Sequence, residues 1–148
     1  MADHRQYLRI RLQSADYLLP GAAGYTIEKR ENIEISDHDA LIAGWLITPA
    51  GRAPAYSLDA EFNPHARHAW QRAVFLQNGS RRVGMVADEL QLISRDDVRP
   101  EPFRPLGRPP TVAGPLFNAA WVREGHPPML VLEPRALVEY LTHLGGAA

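Results

Sequence analysis

Arg72-Ala73-Val74-Phe75-Leu76-Gln77 and Arg82-Val83-Gly84-Met85-Val86-Ala87 flank the tripeptide Asn78-Gly79-Ser80. Two apolar runs of strand length joined across Asn-Gly make the strongest short-range hairpin signal that a sequence carries. The same style continues outward in both directions. Leu90 to Ile93 follows as a further strand, and Asp96-Asp97 opens a turn. Val98 then leads into a connector, residues 99–115, with prolines at 100, 102, 105, 109, 110 and 115. Proline fixes φ and removes a donor, so this connector reads as an extended surface crossing.

Toward the N-terminus the period near two persists. In Tyr7-Leu8-Arg9-Ile10-Arg11-Leu12 the apolar residues at 8, 10 and 12 face one way and Arg9 and Arg11 the other. A short polar turn, Gln13 to Asp16, separates this run from Tyr17-Leu18-Leu19, which predicts a second hairpin. Tyr25 to Ile27 and Ile33 to Ile35 are weaker strands. Leu41 to Ile47 is a fully apolar run interrupted by Gly44, and Ala53 to Leu58 follows the turn signal Thr48-Pro49-Ala50-Gly51. Beyond the connector, Asn118 to Val122 and Met129 to Leu132 read as the last strands, joined through Gly125-His126-Pro127-Pro128. Residues 61–70 suggest a short helical turn after Pro64. After Pro134, Leu137, Tyr140, Leu141 and Leu144 fall at i, i+3, i+4 and i+7, which predicts one C-terminal helix ended by Gly145-Gly146. With about nine or ten short strands, the chain is all-β, a sandwich or at most two small barrels sharing one core.

At 148 residues the chain is one domain's worth, 1–148, long enough to bury a core without staples. Hydrophobic residues make up 45% and charged residues 22%, a globular composition. Sixteen basic residues stand against seventeen acidic ones, split eight to nine in residues 1–74 and eight to eight in 75–148. Nucleic-acid binding calls for a basic surplus or stripe, and none is present. The absence of cysteine excludes disulfides, thiolate zinc sites and a cysteine nucleophile, and fits a reducing cytoplasm. No apolar run approaches the ~20 residues of a membrane span, and the N-terminal MADHRQYLRIRLQ lacks a signal-peptide core.

Catalytic chemistry finds little footing. The single lysine, Lys29, lies in no phosphate loop, and Gly21-Ala22-Ala23-Gly24 lacks dinucleotide-site spacing. Ser57 is not in a nucleophile elbow. Asp88 and Glu89 are adjacent, so in a continuing strand they point to opposite faces and cannot act as a dyad. Asp96-Asp97 is turn chemistry. His65 and His68, three apart, with Asp59 or Glu61 as third ligand, form the alternative reading: a small β-barrel metal- or ligand-binding protein or enzyme. Trp45 and Trp121 serve either as core or as anchors of a protein interface.

In order and spacing these segments resemble the CheW-like domain family over nearly the full length, Tyr7 to Leu144. Gln6 to Pro20 is similar to the family's opening hairpin, and Ala40 to Trp45 to its entry into the central strands. Pro54 to Asp59 resembles its Pro-hydrophobic-hydrophobic-Asp-Leu stretch. The most specific piece is Arg81 to Leu90, similar to the family's valine-Gly strand pair, followed by Asp97 to Pro102 as its connector. Leu130 to Glu133, with the helix after Pro134, resembles the final strand and helix. The resemblance implies two small SH3-like five-stranded barrels about one core, with a short C-terminal helix, no cofactor and no catalysis. It implies a cytoplasmic adaptor, recruited to membrane receptor arrays without inserting in the membrane. Such an adaptor couples the cytoplasmic tip of a chemoreceptor to a CheA-type histidine kinase, through the kinase's own CheW-like regulatory domain, and other CheW-like domains are further partners.

The chain departs from the family at the partner loop. Where the family usually has Asn-Leu-Arg-Gly after the central glycine, this chain has Ile47-Thr48-Pro49-Ala50, and the next arginine is Arg52. Thr26 stands where an acidic residue is frequent, and Ser57 where an aspartate is. These changes leave the core apolar and point to a variant adaptor, such as the PilI- or ChpC-like proteins of twitching-motility arrays, or to a CheW-fold protein with a non-chemotaxis partner. The residues expected at the partner surface are Ile42, Gly44, Trp45, Thr48 and Arg52.

Overall fold

A computed structural model describes residues 6–36, 41–67, 69–104 and 115–144. The strands are β1 (Gln6–Leu12), β2 (Ala15–Pro20), β3 (Thr26–Lys29), β4 (Ile33–Ile35), β5 (Ile42–Thr48) and β6 (Gly51–Tyr56). They continue as β7 (Arg72–Asn78), β8 (Arg81–Ala87), β9 (Glu89–Ser94), β10 (Glu101–Pro102), β11 (Phe117–Trp121) and β12 (Met129–Leu132), and the chain then forms the helix α1 (Pro134–Leu144). Both predicted hairpins form. In β7–β8 the last pair is Asn78 with Arg81, so the turn residues are Gly79-Ser80 and Gly79 takes the positive φ of +63°. In β1–β2 the turn shrinks to Gln13-Ser14, with Leu12 paired to Ala15 and Gln13 itself left-handed.

Two six-stranded sheets result, ordered β10-β11-β12-β2-β1-β9 and β3-β7-β8-β6-β5-β4. In each, the two edge strands are consecutive in the chain. Laid flat, the second sheet's edges would stand ~24 Å apart at ~4.8 Å per strand. The step from Lys29 to Ile33, through a single 3-10 turn at Arg30–Asn32, reaches at most ~14 Å. That sheet must therefore curl into a barrel. The first sheet is tied less tightly, through residues 95–100. Each barrel has six strands where five were expected. β4 is the weak strand read at Ile33 to Ile35, and β10, only two residues long, is the strand the sequence did not mark. β10 lies within the proline-rich connector, of which residues 105–114 fall outside the described residues.

Three apolar clusters explain why these particular sequences became strands. Between the barrels, Leu8, Ile10 and Leu12 of β1 meet Tyr17 and Leu19 of β2, Val74 and Leu76 of β7, Val83 and Met85 of β8, and Leu137 and Leu141 of α1. Inside the second barrel lie Ile33, Leu46, Ala53, Trp70, Ala73, Phe75 and Val86. Inside the first lie Leu18, Val98, Trp121, Met129 and Val131. Residues 73 and 75 of β7 thus serve one core while 74 and 76 serve another, because side chains alternate across a strand. Gly84 permits the closest approach: a Cβ there would stand 2.5 Å from Phe75 Cδ1 and 2.7 Å from the Val74 carbonyl oxygen. Helix α1 starts where expected. Glu133 accepts the Ala136 N–H at its side chain, satisfying one of the free donors of the first turn.

Residues 57–67 do not contain the short helical turn expected after Pro64. The Asp59 carboxylate accepts the N–H groups of Glu61 and Asn63, and this local turn competes with a helix. Phe62 adopts φ +65°, and a bridge joins Leu58 to Pro64.

Candidate functional site

The β5–β6 hairpin gathers three of the five expected partner residues. Trp45 lies across from Pro54, Ile47 across from Arg52, and Thr48 across from Gly51. The Arg52 guanidinium stacks 4.5 Å from the Trp45 ring, so the first arginine after the altered loop covers the tryptophan. Thr48 Oγ1 donates to the Gly51 carbonyl and closes the turn. Ile42 and Gly44 have other work. Ile42 belongs to the core between the barrels, and Gly44 lets β4 approach, since a Cβ there would be 2.6 Å from Ile33 Cγ2 and 2.7 Å from the Glu34 oxygen. The most exposed large apolar residue of this hairpin is one that sequence reasoning did not select: Ile47, at 59%. Its place in an apolar run without polar alternation hid the outward face.

A second surface lies where the barrels meet. A cleft of about 490 Å³ is lined by Lys29 and Arg72 of one barrel, by Glu89 and Leu90 of the other, and by Ala87 and Asp88 at the joint. One two-residue step along the bordering edge strands stand Ile27 on β3 and Leu92 on β9, both exposed. Ile27 pairs with Val74 and Leu92 with Leu8, and both of those partners are in the shared core. The exposed residues are therefore the outer margin of the inter-barrel face. Nothing in their sequence marks them, because an apolar residue at an edge looks like any other strand position.

The acidic residues Asp88 and Glu89 at the cleft are engaged by arginines. Arg9, only 6% exposed, donates to Asp16 (2.9 Å), to Gln91 (2.9 Å) and to Glu89. Arg11 reaches the same Asp16 and Glu89. Asp88 turns the other way and takes a two-pronged contact from Arg67, at 2.7 and 2.9 Å, and the Gln13 N–H at 2.6 Å. Asp88 and Glu89 hence answer to different arginines and form no dyad. Burial pushes the Asp16 carboxyl up, but Arg11 and Arg9 together outweigh it and hold it below the ordinary aspartate value. Asp88 behaves likewise, with burial opposed by Arg67 and the Gln13 N–H. Each of the chain's three tryptophans also lies under an arginine: Arg30 on Trp70, Arg52 on Trp45 and Arg123 on Trp121.

Of the histidine pair, His68 lies outside the described residues. Asp59, one proposed third ligand, spends its carboxylate on its own loop. Among the described residues no three His, Asp or Glu side chains come together as a metal group. Ser57 is buried and donates from Oγ to the His65 carbonyl, a loop-fixing bond. No helix among the described residues is long and apolar enough to cross a membrane.

No protein-family model matches the chain, and no curated protein matches it in sequence. Among solved structures it is similar to the crystal structure of the scaffolding protein TtCheW from Thermoanaerobacter tengcongensis. The TM-score is 0.59 at 15% sequence identity, over 90% of each chain. Twin β barrels around a shared core, with a short C-terminal helix, thus constitute a CheW-like fold in this chain.

Proposed function

We propose that this chain is a non-catalytic, cytoplasmic adaptor that couples chemoreceptors to a CheA-type histidine kinase, in chemotaxis or in a twitching-motility system of the PilI or ChpC kind. The observation that carries the reading is the whole-length likeness to a scaffolding protein of the same architecture. Two surfaces support it. The apolar margin of the inter-barrel cleft, Ile27, Leu90 and Leu92, suits the helical tip of a receptor, which docks by burying apolar side chains in a groove. The outer face of β5–β6 offers Trp45, Arg52 and the exposed Ile47 to the kinase's CheW-like domain; tryptophan and arginine are the residues that most often dominate interface energy. Arg52, which covers Trp45 in this chain, is the residue we assign as the stand-in for the arginine missing from the loop at 47–50.

Co-sedimentation tests the reading, using the purified chain with the CheA-type kinase and a receptor signalling fragment from the same genome. A ternary complex is expected. Arg52→Glu weakens kinase capture about tenfold, roughly 1.4 kcal/mol, and leaves receptor capture unchanged. A folded chain that sediments with neither partner refutes the adaptor function.

A further inference from the structure

We infer that the inter-barrel cleft holds a small phosphate-bearing molecule, bound between Lys29 and Arg72. The β3–β7 ladder ends with these two residues directly opposite each other. Opposed residues of an antiparallel pair project from one face, and like charges so placed destabilise a sheet. The face is fixed two residues earlier, where Ile27 opposes Val74 and Val74 enters the shared core. Both cations therefore project at the end of the inter-barrel face, and both are exposed on the wall of the cleft of about 490 Å³. Among the described residues the ion pairs belong to Arg9, Arg11 and Arg67, and no carboxylate pairs with Lys29 or Arg72. The chain's single lysine is thus set against an arginine, a local conflict of the kind that folded chains keep at functional sites.

The other charges of the lining decide the sign of the cleft. Arg67 takes Asp88, while Glu89 and Asp16 together are balanced by Arg9 and Arg11. Glu31, on the 3-10 turn at the rim, is the one lining carboxylate without an arginine on it. Lys29 and Arg72 against Glu31 leave positive charge over. A carboxylate ligand brings a single negative charge and would answer one of the two cations. A phosphate monoester brings about −1.5 to −2 at pH 7 and answers both. Its oxygens also match the donors, since the Arg72 guanidinium is a planar fork and the Lys29 ammonium a compact point charge. Beside them Ala87 and Leu90 supply an apolar wall for an organic group, and the cleft falls in the range of about 300–1,000 Å³ that small-molecule sites occupy. The site is independent of the adaptor reading, because it needs this chain alone.

Isothermal titration of the whole chain with phenyl phosphate, at ionic strength held constant with sodium chloride, tests the site. Saturable, equimolar binding is expected, with a dissociation constant on the order of 1 mM or tighter. Lys29→Gln and Arg72→Gln should each weaken it about tenfold, the usual worth of one charge-assisted hydrogen bond. Glu31→Gln should tighten it several-fold by removing the competing carboxylate. Glu124→Gln, at an exposed carboxylate on the β11–β12 turn, should leave it unchanged. Melting without ligand adds a readout that a structural pair would not give: relief of the opposed charges should leave Lys29→Gln at least as stable as the unaltered chain. Absence of saturable binding overturns the inference. So does binding that Lys29→Gln and Arg72→Gln leave unchanged, binding that Glu31→Gln alters no more than Glu124→Gln, or a Lys29→Gln chain that melts well below the unaltered one.

Discussion

Phe62 offers the sharpest test of how the two barrels are held. It belongs to the crossover between β6 and β7 of the second barrel, yet its ring is buried in the core shared with the first. Its centroid lies 5.0 Å from Tyr17 of β2, 5.8 Å from Phe117 of β11 and 6.5 Å from Tyr140 of α1. The Tyr140 hydroxyl donates to the Phe62 carbonyl, the Tyr17 hydroxyl to that of Ala60, and Gln13 accepts the Ala60 N–H. Removing the ring by Phe62→Ala should cost about 3–5 kcal/mol, the usual range for a fully buried phenylalanine. The backbone adds a second, independent expectation. At φ +65° an L-residue carries about 1–2 kcal/mol of steric cost, which alanine retains and glycine does not. Elsewhere in a folded chain glycine is less stable than alanine by about 0.5–1 kcal/mol. Phe62→Gly should therefore be more stable than Phe62→Ala by about 0.5–1 kcal/mol, an inversion of the ordinary order. Urea unfolding of both variants, compared at equal slope, measures the difference. Glycine falling below alanine would refute the left-handed assignment, and a loss under about 1 kcal/mol for Phe62→Ala would refute its role as the joint of the two barrels.

Two further outcomes follow from close approach and from charge. Gly84→Ala forces a Cβ to within 2.7 Å of a backbone oxygen, and Gly44→Ala does the same against β4. Each should destabilise by about 1–3 kcal/mol, read as a fall in Tm of about 2–4 °C per kcal/mol. Asp16 titrates below its ordinary value of 3.8 when folded. The stability it contributes is complete above that pH and is lost as pH falls through the lower, folded-state range. Acid unfolding of Asp16→Asn should therefore show a flatter loss of stability below about pH 4 than the unaltered chain, and parallel curves would contradict the ion-pair account.

Strands with a one-sided pattern were legible in the sequence. Leu8, Ile10 and Leu12 alternate with Arg9 and Arg11, and the structure puts the first set in the shared core and the second in the ion-pair network. What could not be read is the path by which Asp16, Glu89 and Gln91 converge on Arg9 from two other strands, since Arg9 and Gln91 are 82 residues apart. The helical reading of 61–70 failed because Pro64 looks like a helix start, while the competing hydrogen bonds come from Asp59, five residues earlier. Among the expected partner residues, Trp45, Thr48 and Arg52 fall together because a hairpin pairs nearby positions. Ile42 and Gly44 do not join them, because Ile42 is buried in the shared core and Gly44 lies against β4. The preference for arginine over lysine, fifteen to one, finds part of its reason in space: a planar guanidinium can lie flat on an indole ring, and all three tryptophans are so covered.

A protein that joins two partners must hold its docking surfaces at a fixed angle, and two packed units are free to swing unless their interface is large and apolar. Here the interface is itself a core. Leu8, Ile10 and Leu12 from one barrel and Val74, Leu76 and Met85 from the other are all fully or almost fully buried in it. Each such side chain contributes about 1.5–3 kcal/mol on burial, so opening the joint would cost as much as unfolding a domain. The second barrel also sends Phe62 into that joint, and α1 seals it with Leu137 and Leu141. On the adaptor reading, the outer face at Trp45 and Arg52 and the cleft bordered by Ile27 and Leu92 are then locked in one relative orientation. An adaptor built this way would convey a signal by which surfaces are occupied and where it is placed, because a hinge between its barrels would have to break its core.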